Sequence, residues 1–282
     1  MGEATPERLH LQHGPIDLLI EAEPEALRAA AFAAAQGVFE GLLEALVDEL
    51  PELRRAAPIA PVQGPVAQRM ACAVAAHAEH GFVTPMAAVA GAVADEVLDA
   101  MRHAAPLSRA HVNNGGDIAL GLAEGQSYRV AISSREGRVL GHVSVRGGDG
   151  VGGIATSGQG GRSLSCGIAE SVTVLAATAA DADVAATLIA NAVDLPHHPR
   201  ISRAPACDLA PDNDLGARLV VTGVPRLSGD EIEMALAEGA RRAERMLAEG
   251  RIKGAMLCLQ GLARVIGSGA IAELEGHADV DA

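Results

Sequence analysis

The sequence predicts an α+β fold, in which strands gather near the middle of the chain and do not alternate strictly with helices. Two observations support this class. Helical patterns lie mostly on either side of the middle, at residues 24–50, 65–78, 85–104, 179–193 and 228–249. Strand-like runs are mostly central, at residues 109–122, 127–134, 138–146, 171–175 and 256–265.

The N-terminal third combines an extended start with helices. Residues 8–22 are strand-like, and the helix that follows Pro24 has an apolar stripe at every fourth residue from Val38 to Leu50. Prolines from Pro51 to Pro65 predict a loop before the second helix. In the helix at residues 85–104, small residues predict close approach to a neighbouring element.

Turn signals organise the remainder of the chain. The pairs Glu124-Gly125 and Glu136-Gly137 separate three strands, which predicts an antiparallel meander. Residues 195–217 are rich in proline and aspartate and predict a loop. The helix at residues 228–249 begins with a capping-box pattern, Ser228 with Glu231 three positions later.

Composition favours a cytoplasmic protein with a small-molecule ligand. The 282-residue chain has a formal net charge of −14 and a single lysine, so it lacks the basic footprint of nucleic-acid binding. We expect no membrane association, because no apolar run has the length of a span and no secretion signal is visible. The four cysteines match neither a paired zinc spacing nor a redox motif.

Two glycine-containing segments are candidates for binding an anionic ligand. Glycine tolerates positive φ, and successive backbone N–H groups in such turns form anion-binding concavities. A structural bulge or turn is the alternative interpretation. The first segment contains Asn113, Asn114, Gly115, Gly116 and Asp117; the second contains Thr156, Ser157 and Gly158, followed by Arg162, which suits bidentate phosphate binding.

Few side chains suggest chemistry. Asp183 and Thr187 are four residues apart and share one helix face, where a carboxylate and a hydroxyl suit Mg²⁺, although a solvated face has the same pattern. The pair His197-His198 suggests a general base or a metal pair, or simply an exposed loop. Neither a Walker A motif nor a serine nucleophile elbow occurs.

Three blocks, in this order, resemble the ApbE-like superfamily, whose best-known members are FAD-dependent FMN transferases. Met86–Asp95 is similar to the family's L-G-A-I-A-K-G-x-x-x-D helix, and Val112–Ile118 to its V-N-x-G-G-[DE]-I. The third block is similar to A-T-S-G…S-V-T-V…A-D-A-x-x-T and comprises Ile154–Gly158, Ser171–Val174 and Ala182–Thr187.

The resemblance implies a T-fold-like arrangement, with a central antiparallel sheet flanked by helices, in one domain. Within residues 1–282, it divides the chain into an N-terminal part at 8–80, a ligand-binding core at 81–195 and a C-terminal helix and strand at 196–265. It implies FAD or FMN at both glycine segments. It also implies Mg²⁺ held by Asp183, Thr187 and the backbone carbonyl of Val89.

The chain departs from the transferases at two places. Ala90 replaces their lysine, and a histidine-containing stretch, H-x-I-x-D-P-x-T-G, is missing between Gly158 and Ser171. Asp95 and His198 are the candidates to replace that histidine. Two functions therefore stay open: a Mg²⁺-dependent FMN transferase or FAD pyrophosphate-cleaving enzyme with a flavoprotein partner, and a non-catalytic flavin or nucleotide binder. T-fold-like sheets often form homo-oligomers.

Overall fold

The computed structural model describes residues 7–133, 139–161, 163–267 and 271–273. The chain forms two compact units. The first comprises Met1–Ser127, Arg146–Ala155 and Ala176–Val184. The second comprises Tyr128–Val145, Thr156–Leu175 and Ala185–Ala282. The expectation of one domain stays a prediction.

The described residues contain seven α-helices and thirteen strands. The helices are α1 (Glu25–Phe39), α2 (Leu42–Leu53), α3 (Pro65–Ala75), α4 (Val89–Ala104), α5 (Ala179–Ala192), α6 (Ala206–Leu209) and α7 (Gly229–Ala248). The strands are β1 (Arg8–His13), β2 (Ile16–Glu23), β3 (Arg109–Asn114), β4 (Asp117–Leu122), β5 (Ser127–Ser133), β6 (Val139–Arg146), β7 (Gly153–Ser157), β8 (Ser171–Ala176), β9 (Ser202–Pro205), β10 (Leu219–Gly223), β11 (Gly254–Leu259), β12 (Leu262–Gly267) and β13 (Ile271–Glu273).

The first unit is built on an antiparallel sheet with the strand order β1-β2-β3-β4-β7. Helix α4 packs against β3, β4, α1 and α3. Its inner face carries small and medium side chains, such as Ala92, Val93 and Val97, which are fully buried. A core with few aromatic rings requires such close approach of backbones, because small side chains fill little space.

The second unit contains three groups of strands. Strands β8, β11 and β12 pair in that order, β9 pairs with β10, and β13, β6 and β5 form a small sheet. Helix α7 packs on β11 and β12, and Gly239 allows this, because a Cβ there would lie 2.8 Å from a methyl carbon of Leu257. The capping box predicted at Ser228 and Glu231 is confirmed.

Residues 8–22 form the predicted extended start, as a hairpin with a two-residue loop. Two strand predictions were wrong: residues 109–122 and 256–265 each form a hairpin with a two-residue loop, and not one strand. In the latter two, both loop residues have positive φ: Gly115 and Gly116, and Gln260 and Gly261. Such loops match the right-handed twist of the flanking strands. The predicted meander was wrong between β4 and β5, because β4 pairs with β7, while β5 and β6 are neighbours, as predicted, in another sheet.

Two further local predictions need correction. The helix expected over 24–50 is two helices, α1 and α2, which meet at Gly41 with a φ of +76°. Pro51 lies inside α2 and does not end it. The predicted loop at residues 195–217 contains β9 and α6, because β9 finds a pairing partner in β10 that local sequence does not reveal.

No single helix in the described ranges is long and apolar enough to cross a membrane, although α1 and α2, a bent pair, meet the length and composition criteria together.

Candidate functional site

Asp183 caps the N-terminal end of a helix to which it does not belong. Helix α4 begins after Ala88, whose side chain offers no cap. The first N–H groups of a helix lack intrahelical acceptors. The carboxylate of Asp183 accepts from the backbone N–H of Gly91 at 3.1 Å and from that of Ala90. A residue of α5 thus completes the first turn of α4.

The carboxylate of Asp183 is electrostatically unfavourable where it stands. Burial raises the pKa of Asp183 well above the usual aspartate value, and the nearby Asp117 carboxylate raises it further. The two N–H groups from α4 oppose this rise. Asp183 and Asp117 both keep some accessible surface. Perturbed carboxylates of this kind are concentrated at functional sites.

Asp95 performs the reciprocal capping role. Its carboxylate oxygens accept from the N–H groups of Ala179 at 3.0 Å and Ala180 at 2.9 Å, the first residues of α5. Each helix therefore supplies an aspartate to the N-terminal end of the other. Asp95, a candidate catalytic residue, has 8% exposure and both its oxygens are occupied. A catalytic role for Asp95 stays a prediction.

The burial of Asp95 predicts that its contribution to folding stability depends on pH. Burial raises its pKa to about 6, against the two N–H bonds that lower it. Because the folded protein holds this proton more tightly than the unfolded chain, the contribution to stability is lost as pH rises from about 4 through about 6. The loss is about 3 kcal/mol. We expect Asp95→Asn to reduce this dependence on pH of the unfolding free energy, measured by urea unfolding between about pH 4 and about pH 6.

The control is Asp48→Asn, which alters an exposed aspartate on α2. It should retain the wild-type dependence of unfolding free energy on pH. An Asp95→Asn profile parallel to that of the wild type would show that this carboxyl does not titrate in the predicted range.

The first glycine segment is the hairpin turn between β3 and β4. Gly115 and Gly116 are exposed, and the Gly116 N–H donates to Oδ1 of Asn113 at 2.8 Å. Asn114 is buried, with 6% exposure. Its Nδ2 donates to the carbonyl of Ala90 at 3.1 Å. The turn therefore connects directly to the start of α4.

The second glycine segment lies at the end of β7. Three of its N–H groups already have acceptors: Gln159 donates to Ala169, Gly160 to Glu170 and Gly161 to Gly158. These N–H groups are thus satisfied within the protein, as the structural alternative expects. Gly158 itself has a φ of +132° and packs against backbone, since a Cβ would lie 2.8 Å from the carbonyl oxygen of Glu170.

The hydroxyl groups of this segment face other hydroxyls of the second unit. Oγ1 of Thr156, an exposed residue, lies 2.9 Å from Oγ1 of buried Thr173. Oγ of Ser157 lies 3.5 Å from Oγ1 of Thr187. Arg162, the candidate phosphate-binding residue, lies outside the described residues.

His198 is engaged at the start of α7. Its Nε2 lies 3.0 Å from Oε1 of Glu231, and its Nδ1 accepts from the N–H of Arg200 at 3.3 Å. His197 is exposed. A catalytic role for His198 stays a prediction, and its present partners are those of a structural residue.

A divalent cation at this site would need carboxylate oxygens together with other oxygen donors. Among the described residues, no group of three or more histidine, cysteine, aspartate or glutamate side chains is arranged to hold a metal. Asp183 and Asp117 are hard oxygen donors near each other, and Mg²⁺ uses one or two carboxylates with other oxygens. Val89 opens α4, and Thr187 lies one turn after Asp183 on α5.

The first unit also contains a cavity that lies apart from the two carboxylates. Its volume is about 180 Å³, and its lining is mainly apolar, with Leu42 and Leu46 of α2 and Val66 of α3. Neither Asp183 nor Asp117 lines it. The candidate site is therefore the accessible surface beside the β3–β4 turn.

Sequence reasoning did not anticipate what holds Asp183. The donors at Ala90 and Gly91 are backbone groups, which leave no side-chain signal. The proximity of Asp117 to Asp183 was also missed, because 66 positions of sequence separate Asp117 from Asp183.

Fold and site together define an α+β protein with a carboxylate-containing site where two helices begin. The family model described as "AbpE bacteria" matches residues 2–266, so the chain belongs to this family. No match was found among curated proteins.

Solved structures also resemble this chain. A mutant of flavin transferase ApbE from Vibrio cholerae has 14% identity and a TM-score of 0.51, with 94% of this chain and 98% of that chain covered. The flavinyl transferase ApbE of Pseudomonas stutzeri, in its apo form, has 13% identity and a TM-score of 0.45, with 94% of both chains covered. The match to the Vibrio cholerae mutant and the family model confirm the predicted ApbE-like α+β fold.

Proposed function

We propose that this chain binds FAD together with Mg²⁺ and cleaves the FAD pyrophosphate, transferring FMN to a hydroxyl group of a flavoprotein partner. The observation that carries the proposal is the Asp183–Asp117 carboxylate pair beside an exposed glycine turn. The similarity of the fold to that of a flavin transferase supports flavin as the ligand.

The residues present fit the metal. Two neighbouring carboxylates repel each other, and a cation between them would favour their ionised forms. Asp183 and Asp117 would hold Mg²⁺, with the carbonyl of Val89 as a further candidate. Bound Mg²⁺ would neutralise charge on the pyrophosphate.

The chemistry sets a clear requirement for a base. The acceptor oxygen forms a bond to the flavin-side phosphorus, the bond from that phosphorus to the AMP oxygen breaks, and the hydroxyl proton must leave. In this chain, the carboxylate of Asp95 and the ring nitrogens of His198 already have hydrogen-bond partners. This favours a second candidate function, a flavin binder without catalysis.

The location is proposed from the thiols. Cys72, Cys166 and Cys207 form no disulfide in the described structure. Unpaired thiols are the usual state in a reducing compartment. This supports the cytoplasm as the place of action.

One incubation distinguishes the two functions. Purified full-length chain is mixed with FAD and Mg²⁺, and AMP and FMN are measured by chromatography while flavin binding is followed by fluorescence. AMP release that stops with a chelator supports the enzyme. Retention of intact FAD supports the binder. Absence of both binding and turnover would reject flavin as the ligand.

A further inference from the structure

Asn114 joins two parts of the first unit through both ends of its amide. Its Oδ1 accepts from the N–H of Asp17 at 3.3 Å, and its Nδ2 donates to the carbonyl of Ala90 at 3.1 Å. Asp17 belongs to β2 and Ala90 to the first turn of α4. The amide therefore ties this helix turn to the sheet.

Asn114 and Asp183 bind the same peptide unit, the one that joins Ala90 to Gly91. Asn114 binds the carbonyl of Ala90, and the N–H of Gly91 in that unit donates to Asp183. A shift in that carbonyl would move the N–H, because the peptide unit is planar. Burial of Asn114 excludes water as an easy replacement for its amide.

We propose that Asn114 is a positioning residue, which sets the place of the Asp183 carboxylate through the Ala90–Gly91 peptide and so sets metal affinity. This inference rests on the proposed function for its metal part. It differs from the flavin-contact role that the family resemblance implied for Asn114. Residues that orient metal ligands typically change metal affinity by about 10- to 100-fold when replaced.

The test uses the full chain with Asn114→Ala and, to keep the side-chain volume, Asn114→Leu. Mn²⁺ binding is titrated by electron paramagnetic resonance, and exchange of the Gly91 amide is followed by NMR. We expect Mn²⁺ affinity to fall by about 10- to 100-fold, with selectively faster Gly91 exchange. Amides of Ala179 and Ala180, held by Asp95, should keep their protection.

The matched control is Asn213→Ala. Asn213 also donates to a carbonyl, that of Ala210, and accepts from the N–H groups of Leu215 and Gly216, but it belongs to the second unit. It should leave both readouts unchanged.

The two readouts separate the inference from the proposed function. Wild-type protein that fails to bind Mn²⁺ would reject the metal part of the proposed function, while Gly91 exchange would still decide the positioning role. Unchanged Gly91 exchange in either folded variant, or equal loss of protection throughout the first unit, would overturn that role. If Asn114→Ala does not fold, Asn114→Leu decides.

Discussion

Replacement of Gly91 by alanine is expected to lower the free energy of unfolding by about 3 kcal/mol. A Cβ at this position would lie 2.2 Å from the carbonyl oxygen of Ala179 and 2.7 Å from the nitrogen of Ala180. Both atoms are backbone, so neither can rotate away. Relief of the clash would separate α4 from the start of α5 and break the hydrogen bonds that the N–H groups of Ala179 and Ala180 donate to Asp95.

The matched control is Gly37→Ala, a glycine in α1 with no atom within 4 Å of its would-be Cβ. Alanine is favoured over glycine in a helix by about 1 kcal/mol, so this variant should gain stability. Urea unfolding of both variants measures the difference. Equal effects of the two substitutions would show that α4 and α5 do not approach as closely as described.

Asp183→Asn is expected to weaken Mg²⁺ binding by more than about tenfold. The same substitution is expected to raise thermal stability near neutral pH. Asparagine still offers an oxygen to the Gly91 N–H and caps helices about as well as aspartate. It removes a charge that burial and Asp117 disfavour. Loss of function with gain of stability is the pattern of a functional residue held under unfavourable electrostatics.

Asp183→Ala provides the contrast. It removes both the charge and the cap of α4, so binding should again be lost, while the missing cap costs about 1 kcal/mol. Calorimetric Mg²⁺ titration and thermal unfolding check both variants, and Asp48→Asn serves as the surface control. Undiminished Mg²⁺ binding by Asp183→Asn would assign this residue to capping alone.

The strand errors have a common physical cause. In residues 109–122, apolar and small side chains continue on both sides of Gly115-Gly116, so periodicity alone does not reveal the reversal. The reversal depends on positive φ at both loop residues. Glycine permits this conformation without requiring it. The hairpin at Gln260-Gly261 is harder still, because a non-glycine residue adopts positive φ there.

Pattern at the level of single elements was sufficient for other features. Helical spacing predicted α4, α5 and α7 closely, and Ser228 with Glu231 predicted the start of α7, because capping is local. Block order and residue identity also predicted the family, which the match over residues 2–266 confirmed.

By itself, the sequence determined the α+β class, most helix positions, the family and the identity of Asp183 as a candidate residue. The tertiary structure alone decided that Asp183 caps α4 and that Asp95 caps α5. It also decided that Asn114 binds the carbonyl of Ala90 in the first turn of α4. The Gly91–Asp183 bond joins residues 92 positions apart. Its acceptor is a side chain, but its donor is a backbone group that every residue except proline possesses. Only the course of the folded chain selects which of those groups a carboxylate meets.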